Sequence, residues 1–148
     1  MQLKAPKLLK FKKYHKGKVD FSNQIVNNFN SPFGDYLIVT AEPGRISARH
    51  LESMRKSIRR VLKRSGKLWI QIFPQVPVTA KPLEVRMGKG KGAVSYWVAR
   101  ASTGTVVAGL SNISFRNALK ALQTAQTKLP VKTKLIFKDT VSLPDSTL

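Results

Sequence analysis

The sequence predicts a fold of β-strands interrupted by two helices, an α+β class, and three observations predict it. Apolar residues recur with a 3.6-residue period at two places, residues 47–65 and 114–129. Short β-branched and aromatic runs lie before, between and after them. One segment, Arg86-Met87-Gly88-Lys89-Gly90-Lys91-Gly92, has neither period: from Gly88 every second residue is glycine, and lysines fill the gaps.

Residues 1–18 hold seven lysines (Lys4, Lys7, Lys10, Lys12, Lys13, Lys16 and Lys18) with Phe11, Tyr14 and His15 among them and no sustained period. They read as a basic arm whose lysines meet phosphates while Phe11 and Tyr14 stack on bases or wedge into an RNA groove; a solvated tail is the alternative. Residues 19–34 are Asn-rich, with Phe21, Ile25, Val26, Phe29 and Phe33 spaced irregularly, and read as a loop with aromatic anchors. Tyr36–Ala41 is a compact β-branched run expected to be a strand buried on both faces, ended by a turn at Glu42-Pro43-Gly44.

Ser47 suits a helix N-cap, Ile46 can staple onto Leu51, and Gly66 suits the C-terminal cap, so a helix is predicted from Ser47 to about Ser65. At 100° per residue Leu51, Met54, Ile58, Val61 and Leu62 form one stripe, while Arg55, Lys56, Arg59, Arg60, Lys63 and Arg64 fill the other side. Only Glu52 is available to balance them, so the face is expected to meet an external polyanion. Arginine's planar fork suits phosphate pairs and guanine edges.

Lys67–Pro74 reads as a central strand, with Leu68, Ile70 and Ile72 on one face and Trp69 and Phe73 on the other. Pro77 and Pro82 keep the following segment extended. Strands at Pro82–Val85 and Val94–Ala99 are expected to hold the glycine-lysine loop at both ends. Val94–Ala101 and Thr105–Leu110, around Ser102-Thr103-Gly104, read as a β-hairpin, with Trp97 a core or loop-anchoring residue. Ser114 caps a second helix to about Leu129, with Phe115, Ala118, Leu119, Leu122, Ala125 and Leu129 as its packing stripe and Pro130 beyond it. Lys134–Lys138 reads as a last strand and residues 142–148 as a frayed tail. The organisation is thus an arm (1–18), one domain (19–141) and a tail (142–148).

At 148 residues the chain is long enough for a single core, since a domain of about 150 residues buries about two-thirds of its unfolded surface. Its charge is the outlier: 27 Lys and Arg against 7 Asp and Glu give +20. Such an excess implies a neutralising polyanion, nucleic acid first of all. No apolar run approaches the roughly 18 residues of a spanning helix, so the chain is expected to be soluble or particle-bound. With no cysteine, disulfides, thiolate zinc sites and cysteine nucleophiles are excluded. No cleaved targeting segment is read at the basic N-terminus, which has neither Arg nor Ser before Asp20.

Three glycines within five residues let the backbone of the 86–92 loop come close to a partner that attracts both ammonium groups and peptide N–H groups. A P-loop is the rival for such a run, but it needs Gly-Lys-[Ser/Thr] four residues after its first glycine, and Lys91 is followed by Gly92 and Ala93. The seven acids stand singly, and neither His15 nor His50 has a metal or triad partner near it in sequence. The expectation is a binding protein, not an enzyme, with no cofactor and no metal. A DNA-compacting protein or RNA chaperone is the alternative that charge alone permits.

Together Pro6-Lys7, Phe11-Lys12-Lys13-Tyr14-His15-Lys16-Gly17, Gly44-Arg45-Ile46-Ser47-Ala48-Arg49, Lys63–Ile70, Lys81–Gly92 and Lys128–Thr133 resemble the L-sixteen family of large-subunit ribosomal proteins, over almost the whole chain. The resemblance implies an α+β fold with a mixed or antiparallel sheet and two packed helices. It also implies a place, as a monomer, in the large subunit beside neighbouring ribosomal proteins, rRNA and tRNA, near the peptidyl transferase centre and the aminoacyl-tRNA site. By that analogy Lys7, Lys10, Lys12, Lys13, His15, Lys16, Lys18, Arg45, Arg49, Arg55, Lys56, Arg59, Arg60, Lys63 and Arg64 bind rRNA. Arg86, Met87, Gly88, Lys89, Gly90, Lys91 and Gly92 face the tRNA and the catalytic RNA. Two departures stand out: Gln71, where the family usually has a basic residue, and the Asn/Phe-rich 18–34 connection. With the absence of a presequence, the Asn-rich drift points to the mitochondrial matrix, with plastid stroma or bacterial cytoplasm as alternatives.

Overall fold

A run such as Tyr36-Leu37-Ile38-Val39-Thr40, with no polar face, is stable only where both faces are covered. The computed structural model, which describes residues 6, 9–19, 33–63 and 65–137, puts it there. This strand, β1 (Tyr36–Thr40), lies inside a four-stranded sheet, and residues 37–40 are all buried. The other elements are β2 (Gly44–Ser47), α1 (Ala48–Leu62), β3 (Lys67–Ile70), β4 (Val76–Ala80), β5 (Ala93–Ala101), β6 (Val106–Ser111), α2 (Phe115–Gln126) and β7 (Thr133–Phe137).

Two antiparallel sheets form among the described residues, one with the order β3-β6-β1-β7 and one with the order β2-β5-β4. The α+β class holds. The two helices pack on each other, and the core joins Leu51, Met54 and Ile58 of α1 to Ile38 of the first sheet and Ile46 of the second.

The expected hairpin of Val94–Ala101 with Thr105–Leu110 does not form: β5 pairs with β2 and β4, and β6 with β1 and β3. Ser102-Thr103-Gly104 instead carries the chain from one sheet to the other. Buried Thr40 ties that crossing down. Its backbone N–H donates to the Thr105 carbonyl (3.0 Å), its carbonyl accepts from Gly104 N–H (2.8 Å), and its hydroxyl donates to the Ser102 carbonyl (2.6 Å).

Three further expectations are corrected. Lys67–Pro74 is not a central strand: β3 ends at Ile70 and lies at a sheet edge, although Leu68, Ile70 and Ile72 do face the core and Trp69 stacks on Phe33 from the other side. Pro82–Val85 is a turn, closed by Val85 N–H on the Pro82 carbonyl. The strand before the loop lies earlier, at β4, where the edge position tolerates Pro77. The short strand β2 occupies residues assigned to a turn and a helix entry.

The Ser47 cap is as expected, while α1 stops at Leu62 and not near Ser65. Both the N–H and the hydroxyl of Ser65 turn back to the Leu62 carbonyl, taking the acceptor that a further helical turn would use. In α2 the packing stripe is Ala118, Ala121, Leu122 and Ala125; Phe115 and Leu119 are exposed. The alanines line its buried side, and Phe115 packs on Phe137 outside (centroids 5.1 Å apart). This helix ends at Gln126, before Leu129, because Lys128 and Leu129 make tightened i→i−3 bonds to Ala125 and Gln126. The 20–32 connection and the 142–148 tail lie outside the described residues.

Candidate nucleic-acid interface

The pairing of β4 with β5 runs from Val76–Val98 to Ala80–Ala93, so residues 81–92 form the tip of a long hairpin. Three consecutive residues there have positive φ: Gly88 (93°), Lys89 (53°) and Gly90 (81°). No atom lies within 4 Å of where a Cβ would stand at Gly88 or Gly90, so backbone conformation alone, not crowding, calls for glycine. Lys81 Nζ donates to the Gly88 carbonyl across the loop. Arg86, Met87, Lys89 and Lys91 are exposed, Met87 entirely.

The described part of the arm, residues 9–19, is joined to the domain by side chains that grip its backbone. Arg45 donates to the Gly17 carbonyl and Arg100 to the Lys16 carbonyl, each at 2.6 Å. Tyr14 donates its hydroxyl to the Gln75 carbonyl at 2.7 Å. Lys13 reaches the Lys91 carbonyl (3.0 Å), and Lys91 reaches the Tyr14 carbonyl (2.8 Å). Tyr14 is therefore an anchor whose hydroxyl is already engaged. Phe11 is 66% exposed, with the Lys10 ammonium 5.7 Å from its ring centroid.

These bonds lay the arm along the three-stranded sheet, from Arg45 and Arg100 near one end of β5 to Lys91, just beyond its other end, where the glycine-lysine loop closes. Lys10, Lys12, Lys13, His15, Lys16 and Lys18 are all exposed there; Lys7 lies outside the described residues. Arg45 is half-buried with its Nε unpartnered, so it positions the arm, whereas Arg49 is exposed at the start of α1. The functional part of Arg100 was not legible in sequence, because a single arginine in a strand carries no signal of what it faces. Only the pairing of Arg45 with Arg100 across β2 and β5 reveals that two guanidinium groups meet the arm side by side.

Along α1, Lys56, Arg59, Arg60 and Lys63 are exposed and Arg64 lies outside the described residues. Arg55 differs. Its guanidinium binds Glu52 through two hydrogen bonds of 2.8 and 3.0 Å, and Lys56 stands 3.9 Å from the same carboxylate. The hydrogen bonds from Arg55 hold the Glu52 carboxyl below the usual glutamate range, and the same pair raises the Arg55 guanidinium. The expectation that the cations of this face are not internally paired thus fails at Arg55, which takes the one acid available, Glu52. Among the described residues Arg59, Arg60 and Lys63 make no ion pair. The sequence also missed His50: its Nδ1 accepts from Ser47 N–H (3.4 Å) while its own N–H goes to Ser47 Oγ (3.3 Å), a capping box with histidine where Glu or Gln is usual.

Among the described residues no group of three or more His, Cys, Asp or Glu could hold a metal ion, and no helix is long and apolar enough to cross a membrane. What the site offers is a set of cations around a loop with open backbone, on a rigid hairpin and helix.

A family model described as ribosomal protein L16p/L10e matches residues 6–136. The chain is 43% identical over 134 residues to the large ribosomal subunit protein uL16 of Paracoccus denitrificans, covering 90% of this chain and 96% of that protein. It is 45% identical over 131 residues to uL16 of Bartonella bacilliformis, covering 88% and 94%. To uL16c of Porphyra purpurea it is 42% identical over 137 residues, covering 93% and 97%. A match that takes in the arm, both sheets, both helices and the loop leaves one conclusion: the chain belongs to the ribosomal protein L16p/L10e family.

Proposed function

We propose that this chain is a structural constituent of the large ribosomal subunit that binds large-subunit rRNA near the peptidyl transferase centre and the aminoacyl-tRNA site. It supports subunit assembly and tRNA positioning in translation, and the RNA performs the chemistry. The observation that carries this reading is the family match over residues 6–136, with relatives that are themselves large-subunit proteins. The charge distribution supports it. The lysines of the described arm, Arg49 and the outer-face cations Lys56, Arg59, Arg60 and Lys63 are all exposed, and an RNA backbone neutralises such cations with counterion release.

In this reading the arm and α1 hold rRNA, and Arg86–Gly92 reaches toward tRNA. The protein acts as a monomer among neighbouring ribosomal proteins, with no enzymatic activity. We assign it to the mitochondrial matrix on its Asn-rich 19–34 connection; bacterial cytoplasm and plastid stroma are the alternatives that its relatives represent.

The test is sedimentation of a cell or organelle lysate through a high-salt sucrose gradient, with detection of this chain in each fraction. Co-migration with large subunits and translating ribosomes is expected. Recovery only with DNA, or as free protein, would return the charge to a nucleic-acid-compacting role.

A further inference from the structure

The first turn of α1 and the beginning of β5 enclose a cleft that the contacts above leave unused. β5 runs from Ala93, but β2 covers only Val98–Ala101 of it, with Ser47 opposite Val98. Beyond Ser47 the chain turns into α1, so Ser95–Trp97 has no strand on that side. The cleft measures about 490 Å³ and is lined by Arg49, His50, Ser95, Tyr96 and Trp97 together with Ser47 and Ala48, a size typical of small-ligand sites.

Its chemistry is richer than a phosphate cradle needs. Tyr96 is 46% exposed, and its ring packs on no other ring among the described residues. Trp97 is half-buried, held by the pairing of β5 with Pro77 of β4. Arg49 stands exposed and makes no ion pair among the described residues. His50 Nδ1 accepts the Ser47 N–H, which leaves Nε2 as the ring nitrogen with no bond among the described residues. A flat aromatic face, a guanidinium, a ring nitrogen and an open strand edge suit a planar heterocycle with a polar rim and a phosphate attached. An inorganic anion would use none of the aromatic surface.

We propose that this cleft receives one unstacked base of the RNA that the loop and α1 engage, with Tyr96 as the stacking platform and Arg49 on the adjoining phosphate; Trp97, the next residue of the strand, sends its side chain to the other face of β5. The inference rests on the rRNA-binding reading and names a subsite within it. Ser95 is three residues beyond Gly92, so an RNA strand running from the loop to the basic face of α1 passes this opening.

The test is equilibrium binding of the full chain to a short oligoadenylate and to an abasic oligoribose phosphate of the same length, at one salt concentration. The wild type is expected to prefer the oligoadenylate. Tyr96→Ala should weaken oligoadenylate binding about 5- to 100-fold and leave abasic binding unchanged, and Tyr96→Phe should stay within about twofold of wild type. Retained preference in Tyr96→Ala, or equal loss on both oligomers, overturns the proposal. A second measurement does not depend on how Tyr96→Ala folds. Ultraviolet crosslinking of the wild-type chain to oligoadenylate, read by mass spectrometry, should place an adduct on Tyr96; adducts confined to other residues overturn it. Co-sedimentation with large subunits in the absence of base preference removes the cleft and keeps the ribosomal reading. Base preference without co-sedimentation does the reverse.

Discussion

Lys13 and Lys91 are 78 residues apart and each holds the other's segment: Lys13 Nζ donates to the Lys91 carbonyl at 3.0 Å, and Lys91 Nζ donates to the carbonyl of Tyr14 at 2.8 Å. Two lysines of like charge are thus joined through backbone oxygens and not through each other. Both bonds are exposed, so each contributes at most about 1 kcal/mol. Their effect is positional, because they tie the arm to the end of the loop.

Lys13→Met and Lys91→Met are therefore each expected to quicken amide exchange over residues 13–18, measured by mass spectrometry. The double variant should add little, since both bonds hold the same stretch. Arm exchange at the wild-type rate in all three would show that Arg45, Arg100 and Tyr14 suffice.

Lys89 is the cleaner probe of the loop's function, because Lys91 also has a structural bond. Replacing Lys89 and Lys91 together with Ala is expected to weaken tRNA accommodation more than subunit association, and Lys89→Ala alone should show most of that loss. Lys89→Gly relieves a left-handed backbone strain of about 1 kcal/mol at φ 53° while removing the same ammonium. It should match Lys89→Ala in tRNA binding. Unchanged tRNA affinity in these variants would remove the loop from that role.

Thr40→Val keeps the shape of a side chain that is 2% exposed and deletes the hydroxyl bonded to Ser102. The turn between the two sheets then loses both the bond to the Ser102 carbonyl and the one the hydroxyl accepts from Thr105 N–H, while that N–H still donates to the Ser102 carbonyl. A loss of about 1–3 kcal/mol is expected in urea unfolding, with the m-value unchanged. A loss below about 0.5 kcal/mol, within the range of an inert surface change, would show that the backbone bonds of Thr40 hold the crossing by themselves.

Glu52 titrates below the usual glutamate range because Arg55 hydrogen-bonds its charged form. A folded-state pKa below the unfolded one adds stability that is fully present above the unfolded value and disappears as pH falls through the folded value. The Glu52–Arg55 pair should therefore contribute at neutral pH and fade in acid, by less than about 1 kcal/mol for a pair near solvent. NMR titration of the Glu52 carboxyl in wild type and Arg55→Met checks it: the midpoint should rise in the variant. Glu52→Gln should also release Arg55 and tighten rRNA binding slightly.

Elements with a strong local signal were legible in the sequence. The Leu51, Met54, Ile58 and Leu62 stripe marked α1 and its buried side, the β-branched run marked β1, and the alternating glycines marked the exposed loop. β2 and β4 were not, because four or five residues containing Gly44 or Pro77 have too little period to outweigh their turn residues. The Thr105–Leu110 run was correctly a strand, but its expected partner was the nearest one in sequence. Strand pairing depends on which faces can be buried together, and that information is not local.

The sequence by itself determined the class, the two helices and the surplus of positive charge, since these follow from residue type and from periods of a few residues. Tertiary structure alone decided that the arm lies against the loop, that Arg45 and Arg100 hold it from adjacent strands, that Glu52 takes Arg55 out of the free cations, and that Tyr96 shares a cleft with Arg49. The physical reason is the same in each case. These contacts join groups whose directions are set by sheet register and helix packing, and a side chain's type does not say which distant backbone oxygen or open strand edge will face it.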